Sequence, residues 1–237
     1  MVYTTYQSYQ SPVSMEGKNT LTVFRGAEPT NTYVWSPFVT KVEARLRFAS
    51  QPYTLGGGSP RSAPKGKIPY IQLPPEAGGA ILGDSAFIIR SLVSSGAVPD
   101  LNAPLTPVQR AQDLAVRALL EDRVYFYGGR EKWCDNYTTM RDGALAAIPW
   151  PLRLLVGYMV QRKYVNMLYG QGALRFSDEE VATLKEEVWE SVDALLVEAR
   201  RSKTGGEGPF WVLGGEGPTE ADTTLFGFVV GALVCKA

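Results

Sequence analysis

The order of strand-type and helix-type segments is the feature that most constrains the fold of this chain. Short apolar runs typical of strands alternate with segments whose apolar residues recur at helical spacing. The strand-type runs are 21–26, 52–55, 67–73 and 80–82, and helical segments begin at Ser36 and Asp84. After residue 107 only helical periodicity remains, with apolar stripes within 108–119, 152–168, 181–199 and 225–233. The sequence therefore predicts an α+β chain in which a βαβ-ββα domain precedes an all-α domain.

Changes in composition divide the chain into four predicted parts. Residues 1–19 are polar and hold no apolar core of signal-peptide type, so we interpret them as a leader. Residues 20–97 carry the βαβ-ββα pattern and form the first domain. Residues 96–107 contain three prolines, and the linker between the domains is placed at 98–106. Residues 107–237 form the helical domain, whose last helix is apolar on nearly every side and is expected to be buried.

Composition excludes several classes of chemistry. Lys and Arg number 24 and so do Asp and Glu, and this zero net charge disfavours a nucleic-acid partner, which requires a basic field. No histidine is present, so a Ser-His-Asp triad, a histidine base and a histidine-bound metal are all excluded. The two cysteines are far apart in sequence, and no apolar stretch reaches the ~18 residues of a membrane span. These features predict a protein of the reducing cytoplasm with no membrane span and no metal.

Three motifs resemble the glutathione transferase superfamily, in which a thioredoxin-like domain precedes an all-α domain. Ser-Pro-Phe-Val-Thr-Lys-Val-Glu at 36–43 is similar to a Ser-Pro-Phe-Cys-x-Lys-x-Glu run of the failed-axon-connections and metaxin-like branch. Lys-Gly-Lys-Ile-Pro-Tyr-Ile at 65–71 precedes Gly-Asp-Ser at 83–85, and the third motif covers 213–227. Together the motifs cover the chain from about residue 20 to 235. The resemblance implies the glutathione transferase fold, glutathione as cofactor and a homodimer by analogy. It also implies a truncated C-terminus, because relatives continue with a further helix.

Ser36 is the candidate catalytic residue. It stands before Pro37, an arrangement typical of a helix N-cap followed by proline at the first helical position. The residues alone leave Ser36 open between a plain cap and a ligand-contacting hydroxyl, and the resemblance favours contact with the glutathione thiol. Lowering a thiol pKa from ~8.5 by roughly two units takes about 2.7 kcal/mol. A hydrogen bond to the thiolate (~1.5–3 kcal/mol) and the helix dipole (~0.3–1 kcal/mol) can supply much of this. Tyr33 is a rival hydroxyl, with a loop aromatic as its alternative interpretation.

The resemblance also implies how glutathione is held. Pro69 is expected to form a cis bond with Ile68, whose backbone pairs with the cysteinyl part; an ordinary edge-strand proline is the alternative. Asp84 and Ser85 match the γ-glutamyl site, because helix N-terminal amides and a hydroxyl suit a carboxylate, and Asp84 suits an amino group. A bare helix cap is the alternative for this pair. The predicted glutathione-binding residues are Ser36, Lys67, Ile68, Pro69, Asp84 and Ser85.

Lysines and aromatic residues complete the predicted site. Lys67, or Lys65 beside it, is expected to meet the glycyl carboxylate, with a solvated lysine as the alternative. The predicted pocket for a second, small apolar substrate is lined by Trp35, Phe38, Tyr125 and Tyr127. Trp133 lies near the last two in sequence, and core packing is the preferred interpretation for at least one residue of that group.

The first hypothesis for function is a glutathione-dependent transferase or double-bond isomerase acting on a small electrophile. Isomerisation requires no additional catalytic residue, because the same thiolate adds and is then expelled. The chain is similar to divergent fungal transferases of specialised-metabolite pathways such as pseurotin biosynthesis. A non-catalytic adaptor of metaxin-like type is the second hypothesis. Redox chemistry of glutaredoxin type is disfavoured, because Val39 replaces the cysteine of the related motif.

Overall fold

The computed structural model describes residues 20–26, 32–203 and 208–237. The predicted leader at 1–19 lies outside the described residues. The described chain divides into two compact units. The first unit takes the residues up to Ala103 together with Thr223–Val234, and the second takes Pro104–Asp222 and Cys235–Ala237. The domain boundaries at residues 97 and 107 stay a prediction. Thr223–Val234, which the sequence placed in the helical domain, are grouped with the first unit.

A four-stranded mixed sheet lies in the first unit. Its strands are β1 Leu21–Phe24, β2 Tyr53–Gly56, β3 Tyr70–Gln72 and β4 Ile81–Gly83. Across the sheet their order is β2-β1-β3-β4, with β1 parallel to β2 and the other neighbouring pairs antiparallel. A parallel pair requires a crossover connection, and a helix between β1 and β2 provides it. This arrangement confirms the predicted βαβ-ββα order.

Two helices of the first unit cover the sheet and build its core. They are α1 Pro37–Phe48 and α2 Ser85–Ser94. Val42 and Leu46, one turn apart on α1, point to the same side, and Ile88 and Leu92 do so on α2. Full burial of a side chain of this size contributes ~1.5–3 kcal/mol. The buried core cluster consists of Leu21, Val23, Val42, Leu46, Tyr53, Ile71, Ile88, Leu92 and Val98.

The second unit is helical in its described residues. Its helices are α3 Pro107–Ala118, α4 Tyr125–Arg130, α5 Tyr137–Ala144, α6 Leu152–Gln171 and α7 Asp178–Ser202. Short π-helical segments, Leu119–Val124 and Glu131–Asp135, join α3, α4 and α5. The apolar stripes predicted at 108–119, 152–168 and 181–199 coincide with α3, α6 and α7. Within the described residues, no helix combines the length and the apolar composition that crossing a membrane requires.

Buried carboxylates anchor the chain before the last helix, α8 Glu220–Val234. The Asp222 carboxylate accepts hydrogen bonds from the Thr219 backbone N–H at 2.8 Å and from the Val212 backbone N–H at 2.7 Å. Asp113 accepts a hydrogen bond from the Ala221 backbone N–H at 2.7 Å. The sequence predicted this capping interaction between Thr219 and Asp222, and the carboxylate does what an N3 side chain does in a capping box.

The last helix, apolar on nearly every side, was expected to be buried, and most of it is, including Leu225, Phe228 and Val230. One stripe is the exception. Phe226, Val229 and Leu233 are 39%, 38% and 69% exposed. These three positions recur at i, i+3 and i+7, so they form one exposed stripe. The opposite face of the helix is buried, and on the stripe the Phe226 ring is partly covered by the Tyr33 ring.

Candidate functional site

Three segments meet at one end of the sheet. Phe24, the last residue of β1, pairs with Tyr70, the first residue of β3, and Tyr70 pairs on its other side with Gly83 at the end of β4. Pro69 and Asp84 are therefore neighbours of this same end. The N-terminus of α1 also lies there, because β2 runs parallel to β1 and the connecting helix must start where β1 ends. The fold thus brings together three of the regions that the sequence assigned to glutathione binding.

Ser36 is the N-cap residue of α1, yet its hydroxyl does not cap the helix. Its backbone is extended, and its carbonyl oxygen accepts a hydrogen bond from the Thr40 backbone N–H at 3.3 Å. In the part of the chain that the structure describes, the half-buried Ser36 side chain makes no cap hydrogen bond to the first turn. A hydroxyl that is not used as a cap can donate to an anion at the positive end of the helix dipole.

The first turn of α1 packs closely against α8. A Cβ built on Gly227 would overlap the Pro37 carbonyl oxygen and lie 3.0 Å from the Lys41 backbone nitrogen. The Phe38 ring meets the Phe228 ring edge to face, with centroids 5.7 Å apart. Such aromatic pairs contribute ~0.5–1.5 kcal/mol beyond the area they bury. Backbone contact at Gly227 and the aromatic pair together fix the start of α1 within the first unit.

Aromatic residues surround the turn at Ser36. Tyr33, the rival hydroxyl, packs its ring edge-on against Phe226 with centroids 6.0 Å apart, which agrees with its interpretation as a loop aromatic. Trp35 is half-buried. The roles of Trp35 and Phe38 in lining a second-substrate pocket stay a prediction.

The Ile68–Pro69 peptide bond is cis, as the resemblance implied. Pro69 is buried and Ile68 is half-buried. Ile68 lies against Gly26 at the end of β1: a Cβ there would be 2.7 Å from Ile68 Cδ1, and Gly26 has a φ of +88°. A larger residue at Gly26 would therefore meet both a clash and a left-handed backbone conformation.

Asp84 and Ser85 form the start of α2. Asp84 has a φ of 76°, and its carboxylate accepts hydrogen bonds from the Ala86 and Phe87 backbone N–H groups at 3.1 and 3.4 Å. Ser85 is buried. The bare-cap interpretation of Asp84 thus describes a real contact of the protein. Positive φ at a residue other than glycine costs of order 1–3 kcal/mol, and such strain clusters at ligand-binding positions.

The two candidate lysines differ in how firmly they are held. Lys65 Nζ lies 3.9 Å above the centroid of the exposed Phe87 ring on α2. A cation over an aromatic ring at an exposed site gains ~0.5–1 kcal/mol. Lys67, which the sequence favoured, is exposed, and its role with the glycyl carboxylate stays a prediction. Lys65 is therefore the lysine with a defined position beside the start of α2.

A buried charged network extends from Arg25, which follows β1 at this end of the sheet, to Tyr53 at the start of β2, and the sequence did not predict it. Arg25 and Glu43 are 1% and 2% exposed, and Arg25 Nε lies 3.5 Å from Glu43 Oε1. The Tyr53 hydroxyl donates to Glu43 Oε2 at 3.4 Å. Burial, followed by the negative charge of Glu43, raises the pKa of Tyr53 to about 12. A signal was present, because Glu43 falls at i+4 from Val39, on the apolar face of the helix.

The aromatic residues Tyr125, Tyr127 and Trp133 all belong to the second unit. Tyr127 lies in a buried core cluster with Leu168, the packing interpretation that the sequence preferred for at least one residue of this group. Burial raises the pKa of Tyr125, and the neighbouring Tyr164 hydroxyl adds to this effect. The role of Tyr125 and Tyr127 in a substrate pocket stays a prediction. Among the residues described, no group of three or more acidic or cysteine side chains is placed to hold a metal ion.

Comparison with known proteins agrees with this geometry. Residues 37–139 match the family model of the glutathione S-transferase N-terminal domain. Glutathione transferase GSTFuA3 from Phanerochaete chrysosporium is 17% identical with a TM-score of 0.56, covering 90% of this chain and 86% of that one. The glutathione S-transferase CsGST63524 of Ceriporiopsis subvermispora, solved in complex with glutathione, is 18% identical with a TM-score of 0.56, covering 90% and 85%.

An enzyme of different activity has the same fold. The β-etherase LigF from Sphingobium sp. strain SYK-6 is 15% identical with a TM-score of 0.53, covering 89% of this chain and 82% of that one. At such identities the likeness concerns the fold, and it confirms the predicted thioredoxin-like domain followed by a mostly helical part. Residues 37–139 thus match the glutathione S-transferase N-terminal domain model, and the described chain shares the fold of these glutathione transferases.

Proposed function

We propose that this chain is a glutathione-dependent enzyme in which Ser36 stabilises the thiolate of bound glutathione. The observation that carries the proposal is the Ser36 hydroxyl, which stands at the N-terminus of α1 without capping it. It shares one end of the sheet with the cis Ile68–Pro69 bond and with Asp84. The oxygen of a capping serine is held against the N–H groups of the first turn, whereas the Ser36 hydroxyl makes no such bond and can be directed to a ligand.

Glutathione fits the remaining groups by its chemistry. The backbone of Ile68, beside the cis bond, offers a donor and an acceptor to the cysteinyl peptide. The N-terminus of α2 with the Ser85 hydroxyl suits the γ-glutamyl carboxylate, and Asp84 suits the ammonium group. Lys65 or Lys67 suits the glycyl carboxylate. Two observations support this assignment. Ser36, Pro69 and Asp84 lie at one end of the sheet, and residues 37–139 match the glutathione S-transferase N-terminal domain model.

The thiolate adds to an electrophilic carbon of a small apolar substrate. With an enone, the new S–C bond forms at the β-carbon, and the π electrons of the C=C bond move to the carbonyl oxygen as an enolate. Protonation of this enolate at carbon gives the conjugate. Alternatively, the former C=C bond, which is single in the enolate, rotates. The enolate electron pair then re-forms the C=C bond and the S–C bond breaks, which releases the isomerised substrate and the thiolate. Neither route requires a histidine, which the chain lacks.

The finer assignments belong to the same proposal. They are a place near the metaxin-like branch, a substrate from specialised metabolism, a cytoplasmic location and a homodimer. Mass spectrometry of a cis-enone incubated with protein and glutathione separates the two reactions. A product heavier by one glutathione indicates transfer, and a product of unchanged mass with altered double-bond geometry indicates isomerisation.

Two serine variants test the role of Ser36, because the chain offers a matched control. Ser177 caps α7, and its hydroxyl accepts a hydrogen bond from the Glu180 backbone N–H at 3.2 Å. We expect Ser36→Ala to raise the pKa of the bound thiol by about one to two units, with little change in stability. Ser177→Ala should cost ~1 kcal/mol of stability and leave the thiol unchanged.

The measurements are titration calorimetry with glutathione, ultraviolet thiolate absorbance against pH, and urea unfolding. A wild-type protein that binds no glutathione at millimolar concentration contradicts the proposed function and favours a non-catalytic adaptor. A bound thiol whose pKa is the same in Ser36→Ala and in the wild type removes Ser36 from the mechanism.

A further inference from the structure

Arg25 is a buried arginine at the end of β1 that reaches the backbone leading to Ser36. Only 1% of its surface is exposed, and its Nη2 donates a hydrogen bond to the Thr32 carbonyl oxygen at 2.7 Å. Its Nε lies 3.5 Å from Oε1 of Glu43 on α1. The planar guanidinium presents its donors in a fixed fork, so it restrains the directions of the groups it contacts. One side chain therefore joins β1, α1 and the backbone four residues before Ser36.

Glu43 is itself held by two other side chains. The Tyr53 hydroxyl of β2 donates to Glu43 Oε2 at 3.4 Å, and Arg47 Nη2 lies 3.6 Å from the same oxygen. Arg47 Nε also donates to the Tyr53 hydroxyl at 3.1 Å. Because its contacts come from β1, β2 and its own helix, the Glu43 carboxylate is a fixed partner for Arg25.

Compared with an apolar replacement of the whole group, such a network contributes little to folding stability. Desolvation of buried charges offsets most of their attraction, and apolar residues of similar volume often replace them without loss. The network does restrain the position of the backbone, because Arg25 binds Thr32 through its carbonyl oxygen. A restraint on a carbonyl acts directly on the path of the chain that follows it.

The backbone from Thr32 to Pro37 is restrained at both ends. Arg25 holds the Thr32 carbonyl oxygen, and Pro37 packs against Gly227 of α8. Ser36 lies between these two points, and its side chain makes no cap hydrogen bond of its own within the described residues. The direction of the Ser36 hydroxyl therefore depends on the backbone that carries it.

We propose that Arg25 is a positioning residue for Ser36, because by holding the Thr32 carbonyl it fixes the backbone that directs the Ser36 hydroxyl to the ligand sulfur. This inference rests on the proposed function. Hydrogen bonds weaken steeply as their angle departs from linearity. A displacement of about 1 Å from productive geometry can cost roughly 10²-fold in rate.

Two arginine variants test the proposal. Arg25→Met keeps the length of the side chain and removes the hydrogen bond to Thr32 and the ion pair with Glu43. Arg47→Met is the matched control, because it removes a guanidinium from the same Glu43 and Tyr53 group but acts on α1 rather than on Thr32. The first measurement is amide hydrogen exchange of residues 32–36 in the ligand-free protein. The second is the pKa of the thiol of bound glutathione, from thiolate absorbance against pH.

We expect Arg25→Met to speed exchange in residues 32–36 by roughly tenfold or more, since a local restraint is lost. The same variant should raise the pKa of the bound thiol by about one unit. Arg47→Met should change neither quantity. Unchanged exchange in Arg25→Met overturns the proposal, and so does an unchanged thiol pKa in an Arg25→Met protein that binds glutathione.

A third variant and the wild type complete the design. If Arg25→Met does not fold, Arg25→Lys keeps the positive charge opposite Glu43 but removes the guanidinium group that binds Thr32, and the same two results decide. The inference about Arg25 is wrong if the wild type and Arg25→Met both bind glutathione with the same lowered thiol pKa. In that case the proposed function still stands. A wild type that binds no glutathione defeats the proposed function, and with it any effect of Arg25 on a ligand, whatever the exchange shows.

Discussion

Replacement of Gly227 by alanine should weaken the first unit and disturb the turn at Ser36. A Cβ at this position would overlap the Pro37 carbonyl oxygen and lie 3.0 Å from the Lys41 backbone nitrogen. Both are backbone atoms of α1, which cannot rotate aside, so α8 has to move away. Overpacking of this kind costs ~1–3 kcal/mol, and the better helix propensity of alanine returns at most ~1 kcal/mol. We therefore expect a net loss of roughly 1–2 kcal/mol in the free energy of unfolding.

Gly231, one turn further along α8, provides the matched control. A Cβ there would lie 3.5 Å from Pro37 Cβ, an ordinary van der Waals contact. Gly231→Ala should therefore stabilise the protein by up to ~1 kcal/mol, and urea unfolding should separate the two variants by about 2–3 kcal/mol. Calorimetry should show weaker glutathione binding for Gly227→Ala only. Equal unfolding free energies for the two variants would refute the close approach of α8 to Pro37.

Two further predictions concern buried polar groups. Because the pKa of Tyr53 is raised to about 12, its contribution to stability is present below pH ~10 and is lost as the pH rises towards 12. The free energy of unfolding should fall by about 2.7 kcal/mol between pH 10 and pH 12. Urea unfolding across this pH range should show no such fall in Tyr53→Phe, whereas the control Tyr169→Phe, at an exposed position, should keep it. Asp222→Ala removes the acceptor of the Val212 and Thr219 backbone N–H groups and of the Thr219 hydroxyl, at 2.7 to 2.8 Å. We expect a cost of about 3–5 kcal/mol in urea unfolding, and a cost below ~1 kcal/mol would contradict the burial of that carboxylate.

Local patterns predicted the strands and long helices because apolar spacing and turn residues act over short distances. The third strand shows the limit of this reasoning: it was predicted at 67–73 and is observed at Tyr70–Gln72. Proline has no backbone N–H to donate to a strand ladder, so the ladder begins after Pro69. The cis form of Pro69 came from the family resemblance, since nothing in the local sequence requires it.

Contacts between distant residues were the part that sequence patterns did not predict. Arg25, Glu43 and Tyr53 carry no common motif, and their pairing depends on β1, α1 and β2 meeting in the folded unit. Tyr125 and Tyr127 could not be told apart by composition, yet two residues along a helix point to different sides, and Tyr127 is the one in the core cluster. Asp84 illustrates a further ambiguity, because a helix cap and a ligand-binding carboxylate require the same residue at the same place.

The assignment of Thr223–Val234 to the first unit has a consequence for how the protein matures during synthesis. Pro37 and Gly227 are in contact but are separated by about 190 residues of chain. When residues 20–103 have left the ribosome, the helix that packs against Pro37 has not yet been made. Long-range contacts of this kind form late and slow folding, and chains are exposed to misfolding while they wait. The turn at Ser36 can therefore reach its final geometry only after translation has passed residue 231, so a nascent chain stalled before α8 should lack a finished ligand site.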